Sequence, residues 1–178
     1  MKRSLLLPTI VFLMTQCLQA DSPLPEIVVL ANFAEKPLEF LYGSWSERMD
    51  RNLTGIQIAK GATAKGGGGA SMACDLSLLH GLSITLKVLP ENMAAGVNII
   101  LHSPDKRASG YSFSLEEAPV NSTTMIVDLS KPFFQPNDAT NGHADLSNIT
   151  RFQIQGNFKD DAPLAIEFEV LEAVAPKS

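Results

Sequence analysis

Cysteine, tryptophan and tyrosine are scarce in this chain. Its 178 residues include 2 Cys, 1 Trp and 2 Tyr. Cys17 lies in an N-terminal stretch that reads as a leader, so residues 21–178 keep only Cys74 and cannot form an intramolecular disulfide in any redox compartment. A lone thiol of this kind is expected as a small buried hydrophobe. A nucleophilic thiol would need an adjacent base, and His80 six positions on is the candidate. Basic clusters are missing as well. The chain has 14 Lys and Arg against 19 Asp and Glu, a net charge of −5, with no basic stripe. That excludes the usual electrostatic footing for a nucleic-acid partner. Helix-like periodicity is almost absent, and no segment repeats every 20 to 50 residues or so, which excludes solenoids and propellers. Zinc-ligand spacings and paired carboxylates are missing too. The chain therefore reads as a non-enzyme and implies no cofactor and no metal.

The N-terminus carries an address. Met1-Lys2-Arg3 is basic, and Leu5 to Leu13 is apolar apart from Pro8 and Thr9. Leu18-Gln19-Ala20 ends on a small residue before the polar Asp21-Ser22-Pro23. This order matches a secretory signal peptide over residues 1–20. The apolar run is shorter than the roughly 20 residues that span a bilayer. The expectation is a secreted or periplasmic domain over residues 21–178, with no stable membrane span after cleavage. An uncleaved N-terminal anchor is one alternative. Lipid modification of Cys17 is another, although Met14-Thr15-Gln16 puts the large Gln16 where lipoprotein signals have a small residue. Lys2 and Arg3 leave with the leader, so the remainder is more acidic than the whole. It has the size of one domain and can bury a core without metal or disulfide.

What the chain does have is a two-residue hydrophobic period. Leu82, Ile84, Leu86 and Val88 alternate with Ser83, Thr85 and Lys87. Phe152-Gln153-Ile154-Gln155 and the run from Leu164 to Val170 repeat the scheme. Side chains change face at each step along a strand, so this pattern buries one face and wets the other. Further strands are expected at residues 26–33, 55–60, 97–103, 111–115 and 150–157, with Met125, Val127 and Leu129 as another buried set. Residues 34–54 read as irregular. Gly66 to Gly69 read as a mobile surface loop; a phosphate-binding loop would need a following Lys-Ser or Lys-Thr and a helix. Eight or nine strands fit an all-β fold, a two-sheet antiparallel jelly-roll β-sandwich.

A set of short motifs recurs in order: Ala70-Ser71, Asp75-Leu76-Ser77, Gly81, Tyr111-Ser112-Phe113, Asp128-Leu129 and Asp145-Leu146-Ser147-Asn148-Ile149. Leu30-Ala31-Asn32-Phe33 adds a looser match. Together they resemble the galactose-binding-like superfamily, which includes carbohydrate-binding modules, discoidin-type domains and the domain of complex I assembly factors. The resemblance implies a non-catalytic jelly roll, in many members a sugar binder. Members often hold a structural calcium beside an acidic pair around the first Phe, where this chain has Asn32-Phe33-Ala34-Glu35. Their last strand often carries an Asp-Asp or Asp-x-Asp step, where this one has Glu167-Phe168-Glu169.

Sugar binding in a sandwich needs an aromatic ring on which a pyranose can lie, with amides, carboxylates or Arg around it. Tyr111, Phe113, Phe152 and Phe168 share parity with aliphatic residues and are expected in the core. Trp45, Tyr42, Phe133 and Phe134 remain as loop aromatics, each either a stacking platform or a cap on the sandwich end. Lys87, Arg151, Gln153 and Gln155 have the parity of the wet face. If their strands are neighbours, they form a patch able to hold hydroxyls or a carboxylate; otherwise they are an ordinary solvated face. The candidate ligand-binding residues are therefore Trp45, Tyr42, Lys87, Arg151, Gln153 and Gln155. The oxygen-rich stretch from Asn137 to Asp145 is either a cation loop or a set of turns. His143 beside Asp145 would be a general-base pair but has no nucleophile near it. Asn52, Asn121 and Asn148 head triplets that match glycosylation acceptors. The expected function is weak recognition of a glycan. The alternative is a protein-interaction or structural domain with no small ligand.

Overall fold

The computed structural model describes residues 27–51, 57–116, 121–133, 142–158 and 161–175. The leader, Phe134, residues 137–141 and the Asn52 triplet lie outside the described residues. The described residues hold no helix. They form eleven strands: β1 (Ile27–Asn32), β2 (Phe40–Gly43), β3 (Met49–Arg51), β4 (Gln57–Thr63), β5 (Gly66–Cys74), β6 (Gly81–Val88), β7 (Gly96–His102), β8 (Ala108–Ser114), β9 (Ser122–Asp128), β10 (Ile149–Gly156) and β11 (Pro163–Val174).

Two antiparallel sheets stack as a sandwich. Sheet A runs β3-β4-β11-β6-β9, and β1 shares one edge of β11 with β4. Sheet B runs β2-β5-β10-β7-β8. The expected all-β two-sheet architecture is what the chain forms. Its core follows from the alternation: Leu82, Ile84, Leu86, Ile99, Phe113, Ile154 and Phe168 are all buried. Aromatic contacts join the two sheets. The Phe33 ring lies 6.5 Å from Phe152 of sheet B and 6.0 Å from Phe168 of sheet A. Such edge-on and tilted pairs add to the stabilisation from area burial.

Three expectations are corrected. Residues 34–54 are not wholly irregular, since they contain β2 and β3. Gly66 to Gly69 are not a surface loop but the buried start of β5. Alternation also fails inside β11. A bulge between Phe168 and Val170 shifts the register against β6, so Leu171 and Ala173 are buried and Val170 is only half-buried. An inserted residue in one strand reverses the parity beyond it, and that reversal is invisible to a fixed two-residue count.

The recurring Asp-Leu-Ser motif is a turn device. The Oδ1 atoms of Asp75, Asp128 and Asp145 accept from the backbone N–H and the hydroxyl of the residue two ahead: Ser77, Ser130 and Ser147. Side-chain oxygens that bond their own backbone two residues on favour turns. Each turn directs its leucine inward: Leu76 and Leu129 are buried, and Leu146 packs against the core. Two of these turns are joined directly, since the Leu76 N–H donates to the Leu146 carbonyl at 2.7 Å.

Candidate functional site

The outer face of sheet B gathers most of the expected residues. Residues paired directly across strands point to the same side. One row is Tyr42, Gly67, Gln155, Asn98 and Ser112. The next is Phe40, Gly69, Gln153, Ile100 and Gly110. A third holds Ser71, Arg151, His102 and Ala108.

The glycine run explains how aromatic side chains reach this face from the sheet edge. A Cβ on Gly67 would stand 2.5 Å from the Tyr42 hydroxyl, and one on Gly69 would stand 2.7 Å from Phe40 Cζ. The alternate glycines serve the inside. A Cβ on Gly66 would collide with the Trp45 indole, and one on Gly68 would meet Leu41 and Leu38. Each missing side chain is thus replaced by one from residues 38–45, which clad both faces of the strand. The Phe40 and Tyr42 rings stack at 6.5 Å and 18°.

Hydrogen bonds orient the polar groups of the face. The Tyr42 hydroxyl donates to Gln155 Oε1 at 2.9 Å, so the Gln155 amide nitrogen keeps its two hydrogens for another partner. His102 Nε2 lies 2.6 Å from Gln153 Oε1, and Ser112 donates to Asn98 Oδ1 at 2.7 Å. Burial pushes the Tyr42 phenol up to about 12, against the opposing pull of the Arg151 charge. The phenol is therefore neutral and a donor across the working pH range. Two cavities open on this side. One, of about 570 Å³, is lined by Ser71, His102, Lys106, Thr150 and Arg151 among others. The other, of about 460 Å³, lies beside Asn98, Ser112, Glu116, Phe133 and Asn157.

Tyr42, Arg151, Gln153 and Gln155 are thus brought together. Trp45 and Lys87 are not. The Trp45 side chain is fully buried, its indole N–H donates to the Thr63 carbonyl at 3.0 Å, and its ring lies 5.9 Å from Phe168. It has no face to offer a ligand. Lys87 belongs to β6 of sheet A, whereas Arg151 belongs to β10 of sheet B. The expected Lys87–Arg151 patch therefore does not form; Lys87 stands 3.7 Å from Glu167 instead. Parity reports a side chain's face within its own sheet but is silent on which sheet that is.

Phe40, Asn98 and His102 also belong to this face and escaped the sequence reading. The one signal was the two-residue spacing of the Phe40 and Tyr42 rings; Asn98 and His102 flank the apolar run Ile99-Ile100-Leu101, which shows no two-residue period. Phe133 covers Gly110 and exchanges backbone hydrogen bonds with it at 2.8 and 3.0 Å.

Other candidate chemistry is spent on structure. Burial, then the Asp75 charge, pushes the half-buried Cys74 thiol up to about 11. A thiol held protonated is a poor nucleophile. Asp145, expected as a partner for His143, accepts from Ser147. Among the described residues no three His, Cys, Asp or Glu side chains group to hold a metal ion, and no helix is long and apolar enough to cross a membrane.

No family profile and no curated protein matches the sequence. Solved structures do match the fold. The family 11 carbohydrate-binding module of the cellulosomal cellulase Lic26A-Cel5E of Clostridium thermocellum superposes with a TM-score of 0.58 at 15% identity, covering 84% of this chain and 95% of that one. A family 11 module from Clostridium thermocellum, in complex with a β-1,3-1,4-mixed-linked tetrasaccharide, gives 0.50 at 14% identity over 72% and 81% of the two chains. The agarase AgWH50C gives 0.55 at 14% identity over 85% of this chain and 25% of the enzyme. At these identities the shared property is the fold, that of the jelly-roll carbohydrate-binding modules.

Proposed function

We propose that this chain is an exported, non-catalytic domain that binds a glycan weakly on the outer face of sheet B. The observation that carries this reading is the row in which Tyr42 and Gln155 are hydrogen-bonded side by side, with Phe40 and Gln153 in the next row. A pyranose presents apolar C–H groups on one face and hydroxyls at its rim. The Phe40–Tyr42 pair supplies an apolar surface for the first. The amides of Gln153, Gln155 and Asn98 supply donors and acceptors for the second. The tetrasaccharide held by a structurally similar module supports the same ligand class here. The basic–apolar–small order of residues 1–20 supports export.

The test is a glycan array followed by titration calorimetry. The expected result is binding to at least one polysaccharide, weakened ten-fold or more by Gln155→Ala and by Tyr42→Ala in folded variants. Silence across the array, or binding indifferent to both substitutions, would overturn the proposal. One observation favours the alternative of a protein-interaction or structural sandwich. Val29 and Ile126 share a row across sheet A and are 56% and 54% exposed, and Ile27 beside them is 53% exposed. A silent array with a self-associating or partner-binding domain would support that reading.

A further inference from the structure

The two cavities on the outer side of sheet B differ in charge. One has Glu116 in its wall, and the other has Arg151 and Lys106. In the second, Ser71, Arg151 and His102 stand side by side on β5, β10 and β7. Neighbouring strands lie about 4.8 Å apart, so these three make a polar floor roughly 10 Å wide. Ser103 and Lys106 of the β7–β8 turn form part of the wall.

The nearby acids are already engaged. Glu39 is 3.0 Å from Lys36 and accepts from the Ser71 N–H at 2.8 Å. Asp105 pairs with Arg107 and accepts from the Ser103 hydroxyl at 2.6 Å. Glu39 and Lys36 cancel, whereas Asp105 shares Arg107 with Asp145, which lies 4.0 Å from the same guanidinium. Among the described residues, neither Arg151 nor Lys106 forms an ion pair, so two cations without a carboxylate partner line one cavity in a chain of net charge −5. The planar guanidinium suits a carboxylate or sulfate bidentately, and the ammonium adds a point charge.

We propose, building on the glycan reading above, that this cavity is an anion subsite and that the preferred ligand is an acidic glycan. Its uronate carboxylate or sulfate ester would sit between Arg151 and Lys106, while the neighbouring sugar lies toward Tyr42. The two parts share one face, since Arg151 stands two rows along β10 from Gln155, which the Tyr42 hydroxyl touches. The overall negative charge argues against diffuse attraction of polyanions, because long-range repulsion works against every contact outside the cavity.

The experiment compares matched oligosaccharides by titration calorimetry at 0.15 M salt: an oligouronide, a sulfated galactan oligomer, and a neutral mixed-linked glucan oligomer. The expected result is at least ten-fold tighter binding of one acidic ligand than of the neutral one. That preference should fall toward unity in Arg151→Gln and in Lys106→Gly. Lys106 has φ of 66°, a left-handed conformation that glycine adopts freely, so the Lys106→Gly variant removes the charge while easing the backbone. Lys87→Gln, on the other sheet, should leave the preference intact. Uronate and sulfate arms identify which anion the cavity takes. Equal affinity for acidic and neutral ligands, or a preference that persists in both cavity variants, overturns the anion subsite while leaving glycan binding standing. Failure to bind any of the three, together with a silent array, overturns the glycan reading itself.

Discussion

The Tyr42 hydroxyl reaches Gln155 Oε1 at 2.9 Å across an intervening strand. Tyr42 is on β2 and Gln155 on β10, and β5 lies between them with Gly67 in register with both. The bond exists because Gly67 has no side chain to block it. A glycine that looked like loop material is thus the residue that joins an edge aromatic to the centre of the sheet.

Gly67→Ala should therefore cost more than an ordinary strand substitution. The new methyl would lie 2.5 Å from the Tyr42 oxygen and 2.7 Å from the Ile154 carbonyl, which is backbone and cannot swing away. Overpacking of this sort costs about 1–3 kcal/mol. Urea denaturation reads the loss, and an unchanged midpoint would contradict the packing described here. Tyr42→Phe keeps the ring over Gly67 and removes only the hydrogen bond, so it should cost about 0.5–1.5 kcal/mol.

Trp45 is the chain's only tryptophan, which makes its emission an unambiguous reporter. Its full burial predicts a blue-shifted spectrum, poor quenching by iodide and little change on adding a glycan. Red-shifted, readily quenched emission would place the ring on the surface after all. Trp45→Ala should destabilise by about 3–5 kcal/mol, as large buried aromatics do.

Acid should loosen the segment that carries Phe40 and Tyr42. The Ser71 backbone N–H, with Lys36 and the Ser71 side chain, lowers the Glu39 carboxyl from 4.5 to about 2. A carboxyl depressed in the folded state binds protons more readily when unfolded. Its contribution is therefore complete above pH 4.5 and fades as the pH falls through about 2. Asp128 behaves alike, held at about 2 first by the Ser130 hydroxyl. Glu39→Gln should flatten the stability profile between pH 4.5 and 2, as measured by thermal melts over that range. A profile parallel to the unmodified protein would show that Glu39 is not held this way.

Lys87→Ala tests the division between sheets. Its partner Glu167 lies 3.7 Å away, with the lysine side chain 41% exposed. Partly exposed pairs are worth about 0–1 kcal/mol, so stability should barely change. Affinity for any ligand of sheet B should not change at all. A ten-fold loss would put Lys87 back in the site.

Alternation along β6, β8 and β10 was enough to assign Ile84, Phe113 and Ile154 to the core, because the strand period ties each side chain to one face and water enforces the choice. The same rule put Gln153, Gln155 and Arg151 on a wet face together, since they share one strand. Only the tertiary structure decided which strands become neighbours. Strand pairing joins backbone groups that every residue carries alike, so nothing in the Lys87 or Arg151 segments announces that they enter different sheets. The glycine strand illustrates the same division. Its faces have meaning only through the Phe40, Tyr42, Trp45 and Leu41 side chains that cover them, and that covering is a product of folding.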